Sequence, residues 1–550
     1  MKKIAWIILE TLIIIISIIT ITSIYSNNSR INRVVEDIKN TYNDVLSNSC
    51  FYVLTLSNGH EMPHVAYSED IGLFKRAWLQ YSDIDINNCY IKIDVAYNKK
   101  EIQKENFKDY IISGMDNRLC KNILINEKFV LLNSEINFNN LVNFRNKELN
   151  DKAVSSYIKR RDDVDIGNIT KIEFFDSYSS FMDNDSKIYH LSSKDKNFHI
   201  REEALNTDEI QLALNSSKNM LFKMLKENGE FVYGYNIIDN TEYKDYNILR
   251  HSLAIWSLVR NFELDELEKA KVEKAIEYLI STIVYKDDCA FVVEEVANYS
   301  KIKLGANGVA LTALCEYMNK YDSKKYIEIA TKIGNGIIYC QNEDGSFNHL
   351  FNPKTFDIDT KFYTILYDGE ATLGLCKLYS LTNEEKYYNS AKKAMDYFIK
   401  NDFTNYNDHW MSYASNEFTK IDNDEKYIEF AIKNVADNID KLKYQNSTHH
   451  ASFEQLFECY ELYKRALANG IHLEIMDSFS LKELEELIQY RTELEYGAIM
   501  LPESAIYTKE PSKYMNIFYL RNDLSVKIDD IAHYINAFTK LESFTKVYSS

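Results

Sequence analysis

The sequence predicts a mainly α protein. A closed ring of six helical hairpins spans residues 201–550, behind a smaller α/β or α+β domain over 50–200 and an N-terminal transmembrane helix. Three observations predict this. Helical segments of two kinds alternate from 207 to 541. Strand-like runs are confined to the stretch before them. An unbroken apolar run, Ala5 to Tyr25, follows Met1-Lys2-Lys3.

The apolar run is long enough to cross a hydrocarbon core at 1.5 Å per residue. It exceeds the apolar part of a signal peptide, and no small-x-small cleavage site follows. Residues 1–27 therefore read as one uncleaved, single-pass cell-membrane anchor. Lys2 and Lys3 place the N-terminus in the cytoplasm and the bulk of the chain outside it, with Arg30 and Arg33 as opposing charges. Glu10 within the run snorkels or pairs within a bundle. Residues 28–49 carry Ile31, Val34, Val35, Ile38, Tyr42 and Val45 at helical spacing and read as a juxtamembrane helix or stalk.

In the 50–200 domain, Phe51–Leu56, Cys89–Tyr97, Phe129–Leu132 and Lys171–Phe175 read as strands, and segments 68–80, 104–117 and 138–148 as helices. No phosphate loop or nucleophile elbow occurs there. His60, Glu61 and His64 lack metalloprotease spacing and read as a loop. The polar stretch from Asp183 to Asn197 reads as a linker.

Beyond Arg201 the pattern is helical. Segments 207–227, 266–285, 324–341, 384–400, 423–442 and 479–494 carry Lys and Glu on one face and fit an outer layer. Segments 246–261, 306–319, 369–381, 409–420, 450–468 and 529–541 are richer in Ala, Leu, Gly and aromatics and fit an inner layer. Six outer–inner pairs with a period of about 60 residues suffice to close a ring. An internal echo supports the period: Glu227-Asn-Gly-Glu-Phe and Glu343-Asp-Gly-Ser-Phe each follow an outer helix, as a glycine stop before the next inner helix.

Net charge is −18 and the isoelectric point about 5.2, so no basic face for nucleic acid stands out. The 41 tyrosines are either sugar-stacking groups or a compositional bias. The eight cysteines (Cys50, Cys89, Cys120, Cys289, Cys315, Cys340, Cys376 and Cys459) show no zinc-ligand spacing and no disulfide framework. No metal ligand or cofactor is indicated.

With Gln341-Asn-Glu-Asp-Gly-Ser-Phe followed by Tyr367-Asp-Gly-Glu-Ala, residues 207–541 resemble the six-hairpin (α/α)6 toroids. That group includes glycoside hydrolases, polysaccharide lyases and uronyl epimerases. Terpene cyclase and prenyltransferase toroids share Gly-Ser-Phe turns but need an Asp-rich motif or a Cys/His/Asp zinc site. Ile528-Asp529-Asp530 is too short for the first, and no set exists for the second.

The resemblance implies parallel inner helices whose N-termini surround one funnel, where free N–H groups favour anionic groups. Tyr246, Arg250 and His251 open the first inner helix and Asn307 the second. Tyr367, Asp368 and Glu370 open the third, and His409 and Trp410 the fourth. His449, His450 and Glu454 open the fifth, and Asp529 and His533 the sixth. Asp368 is either a general acid or base or a helix cap. Glu370 is either its partner or a first-turn charge. Two residues apart, they do not face each other. Asp529 is the candidate second carboxylate, because glycoside cleavage needs two about 5–10 Å apart. Asp529 and His533 share a face, the aspartate either orienting the imidazole or closing the ring. Arg250 and His251 clamp a uronate or phosphate, or serve the core. Tyr246, Tyr367, His409, Trp410, His450 and Glu454 complete the candidate substrate contacts, with Trp410 a sugar platform or helix packing.

These residues imply a membrane-anchored, extracytoplasmic enzyme acting on a polysaccharide or cell-surface glycan. Glycoside hydrolysis comes first. Lyase or C5-epimerase chemistry follows, with Tyr367, His251 or His533 as base and Arg250 neutralising the acid. The alternative is a non-catalytic glycan-binding accessory of an envelope or exopolysaccharide assembly system, docking its partner through residues 50–200.

Overall fold

The computed structural model describes residues 30–46, 49–74, 84–85, 88–103, 122–135, 142–143, 148–192, 201–244, 246–296, 299–444 and 448–548. The apolar run 5–25 lies outside the described residues, as do the expected helix 104–117 and the 75–80 part of the expected helix 68–80, whose described part holds one 3-10 turn, Ile71–Leu73. No helix among the described residues is long and apolar enough to cross a membrane.

The N-terminal domain is built on one antiparallel sheet. Its strands are β1 (Phe51–Ser57), β2 (His64–Ser68), β3 (Tyr90–Ile102), β4 (Asn122–Ile125), β5 (Phe129–Leu131), β6 (Ile172–Met182) and β7 (Ile188–Ser192). Their order is β2-β1-β3-β6-β4-β5, with β7 also paired to β6. Alternation divides each strand between two faces. Tyr52, Leu54, Leu56, Ile91, Ile93 and Val95 pack under the helix over 30–41, against Ile31, Val34, Val35 and Ile38. That helix is thus a layer of the domain and not a free stalk, because its apolar stripe has a sheet to cover. Phe51, Val53, Phe175 and Phe181 on the opposite face pack against Ile506 and Tyr507 of the C-terminal domain.

Three local expectations change. Residues 142–143 pair with 148–149 as short strands inside the expected helix 138–148. The expected linker contains β7. A helix the sequence reading passed over, Asp151–Asp162, buries Val154, Tyr157 and Ile158 behind an Asn150 cap.

Twelve long helices among the described residues form the two layers of the C-terminal domain. The outer ones are α1 (Thr207–Met224), α3 (Glu266–Ser281), α5 (Ile327–Tyr339), α7 (Glu385–Lys400), α9 (Glu425–Ala436) and α11 (Leu481–Glu495). The inner ones are α2 (Ile248–Asn261), α4 (Leu304–Lys320), α6 (Leu366–Thr382), α8 (His409–Ile421), α10 (His450–Ala468) and α12 (Ile528–Tyr548). Each inner helix packs on the next, and α12 returns to α2, so the ring is closed. Burial explains the two layers. Helix α3 buries one stripe, Val272, Ala275, Ile276 and Leu279, whereas α4 is buried from Leu304 through Cys315. Residues 207–548 are a six-hairpin (α/α)6 toroid.

The echoed motifs occupy equivalent places. Gly229 and Gly345 adopt φ of +87° and +98°, and a β-carbon on either would lie 2.2 Å from a backbone oxygen, of Lys274 and Lys393 respectively. Each glycine is the tip of a turn closed by the bridges Leu225–Phe231 and Gln341–Phe347, a few residues past the helix end expected to hold it. Only glycine combines that φ with that approach.

Candidate functional site

Contacts between inner-helix starts show that all six gather at one end. The start of α6 reaches α4, where a β-carbon on Gly305 would meet Glu370 Oε2 and one on Gly308 would meet the Glu370 backbone. Gly369 lies against Trp410 and Met411 of α8. His409 of α8 faces Glu454 of α10, which holds His533 of α12. Arg250 of α2 pairs with Asp529 of α12. At the opposite end Arg260, Glu316, Lys377, Glu417, Glu458 and Lys540, one from each inner helix, join in ion pairs that close the floor.

The α10–α12 wall carries the histidines. His533 Nδ1 lies 2.7 Å from Glu454 Oε2. Glu454 Oε1 accepts from Tyr413 Oη at 2.7 Å and from Asn536 Nδ2 at 3.3 Å. His450 stacks parallel on His533 with ring centres 4.4 Å apart, and its Nε2 lies 3.5 Å from Asp530 Oδ1. Burial pulls the His450 imidazole toward neutrality, but the Asp530 carboxylate outweighs it and holds the group above its ordinary range. Asp530 is correspondingly held low: burial pushes it up, and His450 more than offsets that. His409 is buried and kept neutral by desolvation and by the neighbouring histidines. Arg250 is the half-buried cation of this wall. Its Nε lies 2.9 Å from Asp529 Oδ2 and its guanidinium over the Tyr233 ring. Asp529 is pushed up by burial and by Asp530 beside it. Four buried polar atoms here have no protein partner: His409 Nε2, His450 Nδ1, Asp529 Oδ1 and Asp530 Oδ2.

The α6–α8 wall carries carboxyls. Asp368 does not cap α6, which has no side-chain cap. It accepts from Tyr363 Oη at 3.0 Å and lies 3.3 Å from His349 Nε2. Desolvation raises Asp368, and raises Glu370 well above the usual carboxylate range with help from Asp408 and Asp368. Asp408 caps α8 through Trp410 N at 3.0 Å, and burial lifts it to about 7.

The structure thus brings Arg250, Asp529, His409, His450, Glu454 and His533 together. It sets Asp368 on α6, across the ring from Asp529 on α12, so the two carboxyls come from different hairpins. Asp529 turns to Arg250, and His533 takes Glu454 as its partner. Glu370 is closed off against α4. Tyr246 and His251 are engaged in the core: Tyr246 Oη lies 2.5 Å from His251 Nδ1, and His251 Nε2 lies 2.9 Å from the Ala275 carbonyl. Trp410 is 2 % exposed and stacks on Trp256, as packing rather than a platform. Tyr367 is buried beside Gly305 and the His349 ring. Asn307 holds Val292 N at 2.8 Å, and His449 caps α10. The sequence reading missed His349, Tyr363, Asp408 and Asp530. Asp408 and Asp530 adjoin named residues, which was the available signal.

No family model and no curated protein matches the chain. Similar solved structures include a cellobiose 2-epimerase from Bacillus thermoamylovorans B4167, with 13 % identity and TM-score 0.45 over 62 % of this chain and 99 % of that one. A D-mannose isomerase has 10 % identity and TM-score 0.45 over 62 % and 98 %. A family 76 α-mannanase from Bacteroides thetaiotaomicron has 11 % identity and TM-score 0.44 over 62 % and 97 %.

Proposed function

We propose that the chain is a carbohydrate-active enzyme that moves a proton between carbon and oxygen of a reducing sugar, held at the membrane by the apolar run 5–25. The observation that carries this is the stacked pair His450 and His533, each backed by a carboxylate. Asp530 holds His450 above its ordinary range, which suits that imidazole to general acid–base work near neutral pH. His450 takes the proton from the carbon beside the carbonyl. The carboxyl of Asp529, pushed up by burial on the same wall, gives one to the adjacent oxygen. The enediol so formed collapses to the isomeric sugar. Arg250 and the unpartnered oxygen atoms of Asp529 and Asp530 suit a ligand rich in hydroxyls. Hydrolysis is less well supported, because each candidate carboxyl is already engaged, Asp368 with Tyr363 and His349 and Asp529 with Arg250.

The test is incubation of the full chain in D2O with glucose, mannose, cellobiose and mannobiose, followed by NMR for deuterium at C2 and by assay for new reducing ends. Deuterium at C2 without new reducing ends supports proton transfer. New reducing ends without exchange would replace it with hydrolysis. Neither signal from any of the four sugars overturns the reading for reducing sugars of this size.

A further inference from the structure

We infer that His409, Glu454 and His533 form a binding site for one divalent transition-metal ion, with zinc the best fit. This goes beyond the proton-transfer reading, since nothing in that reading requires an ion.

The donor set comes from three successive inner helices, α8, α10 and α12. One ligating atom from each, His409 Nε2, Glu454 Oε2 and His533 Nδ1, lies within 4.8 Å of the others. All three residues are buried. Two imidazoles and one carboxylate, leaving further positions open, are a ligand set that zinc takes in catalytic sites. Tetrahedral zinc with bonds of 2.0–2.1 Å sets its ligand atoms about 3.3 Å apart. The observed separations from Glu454 Oε2 bracket that value: 2.7 Å to His533 Nδ1 and 3.9 Å to His409 Nε2. Binding an ion requires all three atoms, which lie within 4.8 Å of one another, to close on it.

Two further observations point to a ligand. His409 Nε2 is fully buried and has no hydrogen-bond partner, although it is aimed at Glu454. A buried ring nitrogen left unpaired is costly unless something else engages it. The outer partners are those a metal site uses. Asp408 Oδ1 faces the other nitrogen of His409 at 3.6 Å, and Tyr413 and Asn536 hold the Glu454 oxygen that does not face His533. Such partners fix ring orientation and ligand basicity. Arg250, the nearby cation of this wall, is already paired with Asp529. An ion here polarises an oxygen of the bound sugar. His450 is not a ligand and stays free to carry the proton.

The test uses the full chain, stripped with a chelator and dialysed against zinc or cobalt(II). Elemental analysis should find one ion per chain, and the cobalt form should show the visible absorption of a low-coordinate site. His409→Ala and His533→Ala should each lose the ion, while His450→Ala keeps it. Circular dichroism establishes that each variant is folded. His409→Gln, which keeps side-chain bulk, serves if the alanine variant unfolds. A wild-type chain that retains no ion overturns the proposal, as does equal retention by a folded His409→Ala or His409→Gln variant. Deuterium exchange into sugar by an ion-free chain would overturn the ion's part in turnover and leave the proton-transfer reading standing.

Discussion

The imidazoles of His450 and His533 lie parallel with their centres 4.4 Å apart, brought together from α10 and α12. The two are not equivalent. His533 is held by Glu454, which Tyr413 and Asn536 hold in turn, whereas His450 meets Asp530 at 3.5 Å and keeps an unpartnered Nδ1. One ring is anchored and the other is free to exchange a proton. His450→Asn should therefore cut sugar proton exchange by about 10²–10⁴-fold, the range for a lost general acid or base. His251→Asn should leave exchange within a few-fold of wild type and lower the melting temperature, because His251 is bonded to Tyr246 and the Ala275 carbonyl and packed against Phe231 and Tyr278. NMR exchange rates and thermal melts on the two variants check both statements.

Asp530 raises His450 by favouring its protonated form. Removing that carboxylate lowers the imidazole pKa, so His450 is deprotonated at more acidic pH. In Asp530→Asn the rising limb of the pH–rate profile, set by deprotonation of the base, should move toward lower pH. A limb that stays in place would mean that His450 is not the base.

Asp408 gives a stability test whose sign is opposite to that of a salt-bridged carboxylate. Burial lifts it from 3.8 to about 7 in the folded chain. Its contribution is therefore fully present below about pH 4 and is lost as pH rises toward 7, because the unfolded chain ionises first. Asparagine keeps the cap on Trp410 N and cannot ionise. Asp408→Asn should be more stable than wild type above pH 7, on the order of 2–4 kcal/mol, with the difference vanishing near pH 4. Urea melts across that range measure it.

Much of this architecture was readable because it lies in periodicity. The outer helices bury a single stripe, the inner ones most of their surface, and the alternation marks all twelve, with the ends of Glu425–Ala436 and Ile528–Tyr548 misplaced by six or seven residues. The helix Asp151–Asp162 was harder, because its buried Val154, Tyr157 and Ile158 are followed by Lys159, Arg160 and Arg161. For the site, the starts of the inner helices were the right place, but depth and pairing were not readable. His251 and His450 look alike in sequence, yet one closes the core and the other lines the funnel. The partnership of Glu454 with His533 joins residues 79 apart, and only ring closure brings them together.

Close approach of the inner helices rests on glycine. A β-carbon on Gly308 would lie 2.4 Å from the Glu370 carbonyl carbon, and one on Gly369 would lie 2.6 Å from that of Trp410. Backbone cannot yield as a side chain does, so neighbouring helices must part. Gly308→Ala should cost about 1–3 kcal/mol or more, the penalty of overpacking, and should also slow turnover by displacing the α6 start. A control at Gly167, with open space around it, carries strain from its φ of +63° but no clash. Denaturant titration separates the two.

Arg201 ties the two domains together. Its Nε and Nη2 reach Glu503 Oε1 and Oε2 at 2.8 and 3.0 Å, a two-pronged buried pair, and its guanidinium lies 3.6 Å from the centre of the Tyr189 ring. Beside it, Thr55 and Tyr507 meet across the interface at 3.0 Å. Truncating Arg201 leaves the Glu503 charge buried and unpaired, which costs about 3–5 kcal/mol. Arg201→Ala should therefore loosen the sheet from the toroid before either unfolds, giving two transitions in urea where wild type gives one. The double variant Arg201→Leu/Glu503→Leu removes both charges and should recover most of the loss. If the double variant is as unstable as Arg201→Ala, packing over Tyr189 rather than the ion pair holds the domains, and Tyr189→Ala should then reproduce the split transition.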